Sequence, residues 1–258
     1  MILSVHIRKT LPGFTLQADF ETADPADAAA PLALLGPSGC GKSMTLKCIA
    51  GIETPDSGCI SLNGKNRQEH EGRSLFDSSR RISLTPQKRR VGYMFQDYAL
   101  FPNMTVRKNV LAGMGRHPDP RCADPYLEQF RIADLAERFP GELSEGQKQR
   151  TAMARIIAQN PDVILLDEPF SALDTALKWQ LEEEMLQILD EVRKPAIFVS
   201  HDIGEVFRMS KEVCTIKDGK TSGKIPAEEF RAQLMEGSCG LMPGWRILPA
   251  ERSYSESF

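Results

Sequence analysis

Apolar and polar side chains alternate along residues 2–7 and again along 14–20, on either side of Pro12-Gly13. A period of two buries one face of an extended chain, so the pattern predicts two antiparallel strands joined by a turn. After the loop-like stretch 21–30, Pro31 introduces the apolar run Leu32-Ala33-Leu34-Leu35, which predicts a strand, and a helical run then ends near Gly51. Residues 59–62, before the turn signal Asn63-Gly64, predict another short strand. Residues 91–95 resume a strand that runs directly into Gln96. Helical spacing over 105–114 and 126–139, with Pro118, Pro120 and Pro125 between, predicts a small helical lobe at about residues 100–160.

Ser144 followed by Gln147 fits a capping box, opening a helix that runs to about residue 159, where Asn160-Pro161 stops it. Val163-Ile164-Leu165-Leu166 is apolar without alternation, as in a strand covered on both faces of a parallel sheet. A long helix is predicted over 175–192 and a strand over 196–200, and Asp202 with Glu205 forms a second capping-box pair. Residues 213–217 with Asp218-Gly219 predict a terminal hairpin. Beyond Met235 the pattern weakens, so residues 1–236 form one expected domain and 237–258 a short tail anchored by Trp245. Strands interleaved with helices predict an α/β fold with a mostly parallel sheet, an N-terminal antiparallel β subdomain and a helical subdomain.

Composition excludes more than it selects. The formal net charge is −3, which gives no support for nucleic acid as a partner. Residues 65–90 hold Arg67, Arg73, Arg80, Arg81, Lys88, Arg89 and Arg90 with almost no interleaved aromatics, so this stretch reads as a solvated surface segment. No run approaches the roughly 18 to 20 apolar residues that cross a bilayer, and the start lacks a secretory signal's cationic and apolar regions; a cytoplasmic protein is expected. Six cysteines, at 40, 48, 59, 122, 214 and 239, show no C-x-x-C pairing and read as free thiols.

The chemistry begins at Gly36-Pro37-Ser38-Gly39-Cys40-Gly41-Lys42-Ser43, which fits G-x-x-x-x-G-K-[ST] and lies between the predicted strand and helix. Glycines at 36, 39 and 41 let successive backbone N–H groups turn inward at a helix N-terminus, making a nest for phosphate. Lys42 can reach the β- and γ-phosphates of a nucleotide. Ser43 offers a hydroxyl to Mg²⁺, a hard cation that prefers oxygen. Two further strands end in polar groups where an open parallel sheet binds ligands: Asp167-Glu168 and His201. Asp167 is the candidate holder of Mg²⁺, Glu168 the group that orients or deprotonates an attacking water, and His201 a contact to the γ-phosphate.

Read together, Gln96, Leu143-Ser144-Glu145-Gly146-Gln147, residues 163–168, Ser171-Ala172-Leu173-Asp174 and His201 resemble the ATP-binding cassette ATPases, and the resemblance covers residues 1 to about 225. It implies a P-loop NTPase core, with ATP and Mg²⁺ as cofactors. It implies further that Gln96 is a metal-site residue facing a membrane subunit, that Met44 belongs to the nucleotide contacts, that Asp174 lies at a dimer contact, and that Phe14 stacks on adenine. Ser144, Gly146 and Gln147 would serve the nucleotide held by a second copy, so a head-to-tail homodimer is expected, with integral-membrane permease subunits and, indirectly, a solute-binding protein. The signature departs from the family's usual LSGGQ in placing Glu145 third, with its side chain expected in solvent. Residues 98–106 are similar to the importer branch, and residues 84–96 look most like ATPases of molybdate or tungstate importers, with sulfate and polyamine importers sharing the later part. The expectation is an importer ATPase peripheral to the inner face of the cell membrane.

Overall fold

The computed structural model describes residues 1–26, 30–63, 72–115, 118–171 and 173–236. Strands β1 (Ile2–Leu11) and β2 (Phe14–Glu21) form the antiparallel pair that the alternation predicts, with Val5 opposite Phe20 and Ile7 opposite Ala18. The chain continues through β3 (Leu32–Leu35) and α1 (Lys42–Ala50), then β4 (Ser57–Asn63), which pairs with the other side of β1. Next come β5 (Arg73–Asp77), β6 (Ile82–Ser83), a one-turn α2 (Pro86–Arg89) and β7 (Val91–Met94). Three helices follow, α3 (Val106–Ala112), α4 (Asp124–Gln129) and α5 (Glu145–Ala158). The core is completed by β8 (Val163–Asp167), α6 (Thr175–Val192), β9 (Ala196–Ser200) and α7 (Ile203–Met209). Last are β10 (Glu212–Lys217), β11 (Lys220–Thr221), β12 (Ile225–Pro226) and α8 (Ala227–Met235).

Among the described residues the sheet runs β6-β5-β4-β1-β2-β11-β10-β3-β9-β8-β7, with β12 paired to β10. The half from β10 to β7 is parallel, and every residue of β3, β8 and β9 is buried. Alternate side chains of these strands feed two cores. Leu32, Leu34, Val163, Leu165, Ile197 and Val199 meet α1 and the antiparallel strands on one side. Ala33, Leu35, Ile164, Leu166, Ala196 and Phe198 meet α5 to α8 on the other. Covering both faces is what makes the central strands read as unbroken apolar runs. The parallel order also brings the carboxyl ends of β3, β8 and β9 to one edge of the sheet.

Three expectations are corrected. Residues 65–90 are not merely a solvated segment: residues 64–71 lie outside the described ones, but 73–77 form a strand and Arg73 pairs with Asp162 at 2.6 Å. Arg89 is buried to 1% exposure, donating to the Cys48 and Ile49 carbonyls at 2.7 and 2.8 Å and to the Leu84 carbonyl at 2.8 Å. It thereby adds a donor at the carbonyls that end α1, where Cys48 also accepts from the cap residue Gly51 N at 3.3 Å. Residues 126–139 are not one helix, because α4 ends at Gln129 and Arg131 turns left-handed at φ 53°, after which only a 3₁₀ turn, Ala133–Leu135, remains. Asp202 does cap α7, accepting from Gly204 N and Glu205 N, but Glu205 does not return the bond, being drawn to Lys178 and Ser200 instead. The tail, with Trp245 and Cys239, lies outside the described residues.

Candidate functional site

Residues 36–43 join β3 to α1 and sit against the antiparallel strands. A Cβ on Gly36 would stand 2.4 Å from the Ile216 carbonyl oxygen, so no side chain fits there. Gly41 has φ 109° in the left-handed region, and a Cβ there would meet Leu16 at 2.9 Å. The Phe14 ring approaches the same spot, 3.5 Å from that Cβ position, and also presses on Gly219. Phe14 is half-buried beside the loop and packs against the core that α1 shares with the antiparallel strands. Met44, half-buried on α1, packs against the same core. Pro37, Ser38 and Gly39 form the outer bend, with Cys40 N donating to the Pro37 carbonyl at 3.4 Å. The Cys40 thiol is buried; burial pushes its pKa up, with nearby Lys42 opposing.

Lys42 is 4% exposed, and its ammonium donates to the Gly36 and Pro37 carbonyls at 2.7 and 2.9 Å. Ser43 Oγ donates to Asp167 Oδ1 at 2.8 Å, and Tyr93 Oη donates to Asp167 Oδ2 at 2.7 Å. Burial, and then the adjacent Asp167 carboxylate, pushes the Tyr93 phenol far up, so it stays a hydrogen-bond donor. Glu168 adopts φ 47°, a left-handed conformation uncommon outside glycine, with its N–H held by the Val199 carbonyl at 3.2 Å. That turn sends Glu168 away from Asp167. Its Oε2 lies 3.4 Å from Gln96 Nε2 and its Oε1 3.4 Å from His201 Nδ1. Gln96 Nε2 also reaches Ser171 Oγ at 3.4 Å, and Ser171 donates to the Glu168 carbonyl at 3.1 Å.

Ser43, Lys47, Phe95, Gln96, Asp97, Asp167 and Ser171 line one open cleft beside these groups. Its oxygen donors from Ser43, Gln96 and Asp167 form a set that suits a hard divalent cation such as Mg²⁺. Behind His201, the Lys178 ammonium bridges Asp202 at 2.5 Å and Glu205 at 2.7 Å. Burial works against charge on both Lys178 and Asp202; the Asp202 and Glu205 carboxylates outweigh it on the lysine and raise its pKa, and Lys178 with the Gly204 and Glu205 N–H groups outweighs it on the aspartate and lowers its pKa. The network ties α6, whose N-cap Asp174 accepts from Leu177 N at 3.1 Å, to the turn that carries His201.

Ser144, Gly146 and Gln147 sit at the start of α5 and do not line this cleft. Ser144 N donates to Gln147 Oε1 at 2.9 Å, so the Gln147 carboxamide completes its own helix cap. Gly146 is buried, and a Cβ there would stand 3.1 Å from Leu177 of α6. Glu145 pairs with Lys148 on its own helix at 2.7 Å. The structure thus draws Lys42, Ser43, Gln96, Asp167, Glu168 and His201 together and leaves the signature residues elsewhere on the chain. Tyr93, Lys178 and Ser171's bond to Gln96 escape a motif search; only strand register and helix packing bring them in.

A family model described as "ABC transporter" matches residues 27–171, more than half the chain. The sulfate/thiosulfate import ATP-binding protein CysA of Synechocystis is 36% identical over 234 residues, spanning 89% of this chain and 61% of that protein. The spermidine/putrescine import ATP-binding protein PotA of Nitratidesulfovibrio vulgaris is 42% identical over 194 residues, spanning 73% of this chain and 49% of that one. The same identity and span of this chain hold for the Fe(3+) ions import ATP-binding protein FbpC of Haemophilus influenzae, of which 52% is covered. The chain therefore spans about half to three fifths of these relatives' lengths. Among solved structures, the ATP-binding cassette MJ0796, in a dimer bound to ADP and Pi, superposes with a TM-score of 0.67 over 88% of this chain and 99% of that one. Its sequence identity is 24%, so the likeness speaks for the fold.

Proposed function

The chain belongs to the ABC transporter family, and from that membership we propose that it is the ATP-binding and ATP-hydrolysing subunit of an importer. It works as a head-to-tail homodimer at the inner face of the cell membrane beside separate permease subunits, which receive solute from a binding protein. Among the described residues no helix is long and apolar enough to cross a membrane, which suits a peripheral subunit. We assign residues 1–236 to the ATPase domain, with a helical subdomain at about 100–160.

One observation carries this reading: Ser43 touches Asp167, while Gln96 and His201 both face Glu168, at a single sheet edge. The backbone N–H groups of 36–43 cradle the β- and γ-phosphates, and Phe14 stacks on the base. Lys42 exchanges its two loop carbonyls for phosphate oxygens of matching character. Ser43, Gln96 and Asp167 would hold Mg²⁺, which would supply positive charge to neutralise the nucleotide's phosphates. Glu168 orients the attacking water and accepts its proton. His201 steadies the Glu168 carboxylate and reads the γ-phosphate. The N-terminus of α5, with Ser144 and Gly146, closes over the γ-phosphate held by the partner protomer, adding helix-dipole charge.

The test is Glu168→Gln, which should bind ATP normally and hydrolyse it at least about a hundredfold more slowly. It should also accumulate as an ATP-bound dimer in sedimentation. Wild-type turnover would remove Glu168 from the chemistry, and a monomer with bound ATP, even alongside its permease, would overturn the dimer.

The similarity of residues 84–96 to molybdate and tungstate importers supports an oxyanion of that kind as the solute. The relatives named for sulfate/thiosulfate and for spermidine/putrescine support a second reading equally, with one of those as cargo. Uptake of labelled molybdate, sulfate and spermidine by cells with and without this chain distinguishes them.

A further inference from the structure

Asp167 is a buried carboxylate with one hydroxyl donor on each oxygen, Ser43 on Oδ1 and Tyr93 on Oδ2. Ser43 has a second task in the proposed function, since its oxygen lone pair serves the cation. Among the described residues the Tyr93 hydroxyl bonds to Asp167 and to no other side chain. Strands β7 and β8 run parallel with Tyr93 opposite Leu165, so Tyr93 and Asp167 share a sheet face and the phenol reaches forward along β8 to the carboxylate. The Phe95 ring lies 4.4 Å from the phenol at 41° and lines the cleft, restricting how the phenol can turn.

We propose that Tyr93 is a positioning residue that fixes the plane of the Asp167 carboxylate and thereby sets how tightly the nucleotide site holds its divalent cation. A carboxylate that acts on a cation directly or through one water must present an oxygen along a narrow set of directions. Hydrogen-bond partners behind such a group orient it, and removing one typically weakens metal affinity about 10- to 100-fold. Without the phenol hydroxyl, Asp167 keeps Ser43 on one oxygen and is free to rotate about that contact. Tyr93 also stands three residues before Gln96 on the same run of chain, so one strand end carries both a cation-site residue and the clamp on another.

The inference rests on the assignment of Ser43, Gln96 and Asp167 to the cation. Its test is Tyr93→Phe, which removes one oxygen and keeps the ring. Mn²⁺ binding to the nucleotide-loaded protein is followed by electron paramagnetic resonance, and nucleotide binding is titrated with Mg²⁺ and with chelator. The expected result is about tenfold weaker cation binding, unchanged nucleotide binding in chelator, and a turnover rate within threefold of wild type once Mg²⁺ saturates. Cation binding equal to wild type overturns the role of Tyr93, as does an equal loss of nucleotide binding with and without cation, which marks a structural role only. If wild type itself binds nucleotide identically in Mg²⁺ and in chelator, the cation assignment fails and this inference fails with it.

Discussion

In the proposed head-to-tail dimer, Glu145 puts a carboxylate where the signature loop would face the phosphates of the partner protomer, and its direction decides what it does there. In the structure its carboxylate pairs with Lys148 at 2.7 Å, with side-chain exposures of 45% and 29%. A half-exposed pair within one helix is worth about 0.3–0.5 kcal/mol. If the pair keeps to its own helix, Glu145→Gln should cost no more than that in stability and leave the ATPase rate within about twofold, and Glu145→Gly should change the rate by less than about tenfold even with the glycine cost at the start of α5. The opposite orientation gives a different magnitude. A carboxylate turned inward to roughly 8 Å from one phosphate charge, at an effective dielectric near 20, opposes binding by about 2 kcal/mol, or roughly thirtyfold in rate. Steady-state ATP hydrolysis of wild type, Glu145→Gln and Glu145→Gly at two salt concentrations separates the cases. A gain above tenfold in both variants, shrinking as salt rises, would refute the outward direction and make Glu145 a built-in brake.

Two further expectations follow from buried groups. Arg89→Met removes three bonds to carbonyls, two of them at the end of the helix that begins in the nucleotide loop, so urea denaturation should show a loss of about 3 kcal/mol or more; Arg89→Lys should rescue little, since an ammonium lacks the fork, and a loss under about 1 kcal/mol would contradict the capping role. Because burial raises the Cys40 thiol above its ordinary range, alkylation there should be slow at pH 7 and rise with pH, about tenfold per unit while the thiol stays mostly protonated. Mass spectrometry should find exposed Cys122 modified first and ATP protecting Cys40; a pH-independent rate at Cys40 would refute the reasoning.

Local signals carried most of the fold. Alternation over 2–7 and 14–20 found the strands at 2–11 and 14–21, unbroken apolar runs marked those at 163–167 and 196–200, and the helix at 175–192 has its predicted limits. What escaped depends on distant partners. Nothing near Arg89 says that carbonyls 40 residues earlier will bury it. The helical spacing past Gln129 is real but is cut by the left-handed turn at Arg131, a residue with no turn signal of its own. Glu205 has capping-box spacing, yet the ammonium of Lys178 lies close and outcompetes a backbone N–H. At the site, Lys42, Ser43, Gln96, Asp167, Glu168 and His201 were legible as motif positions, whereas Tyr93 required the pairing of β7 with β8.

The ammonium of Lys42, parked on the carbonyls of Gly36 and Pro37, gives the loop a berth for its own cation. A lysine stranded between visits of the nucleotide would have to draw in water or drag the loop shut. Under the proposed function, arrival and departure of phosphate exchange one set of oxygens for another around that ammonium. A catalyst that must release its product as readily as it captures its fuel benefits from that near-even trade, because neither step leaves the charge without company.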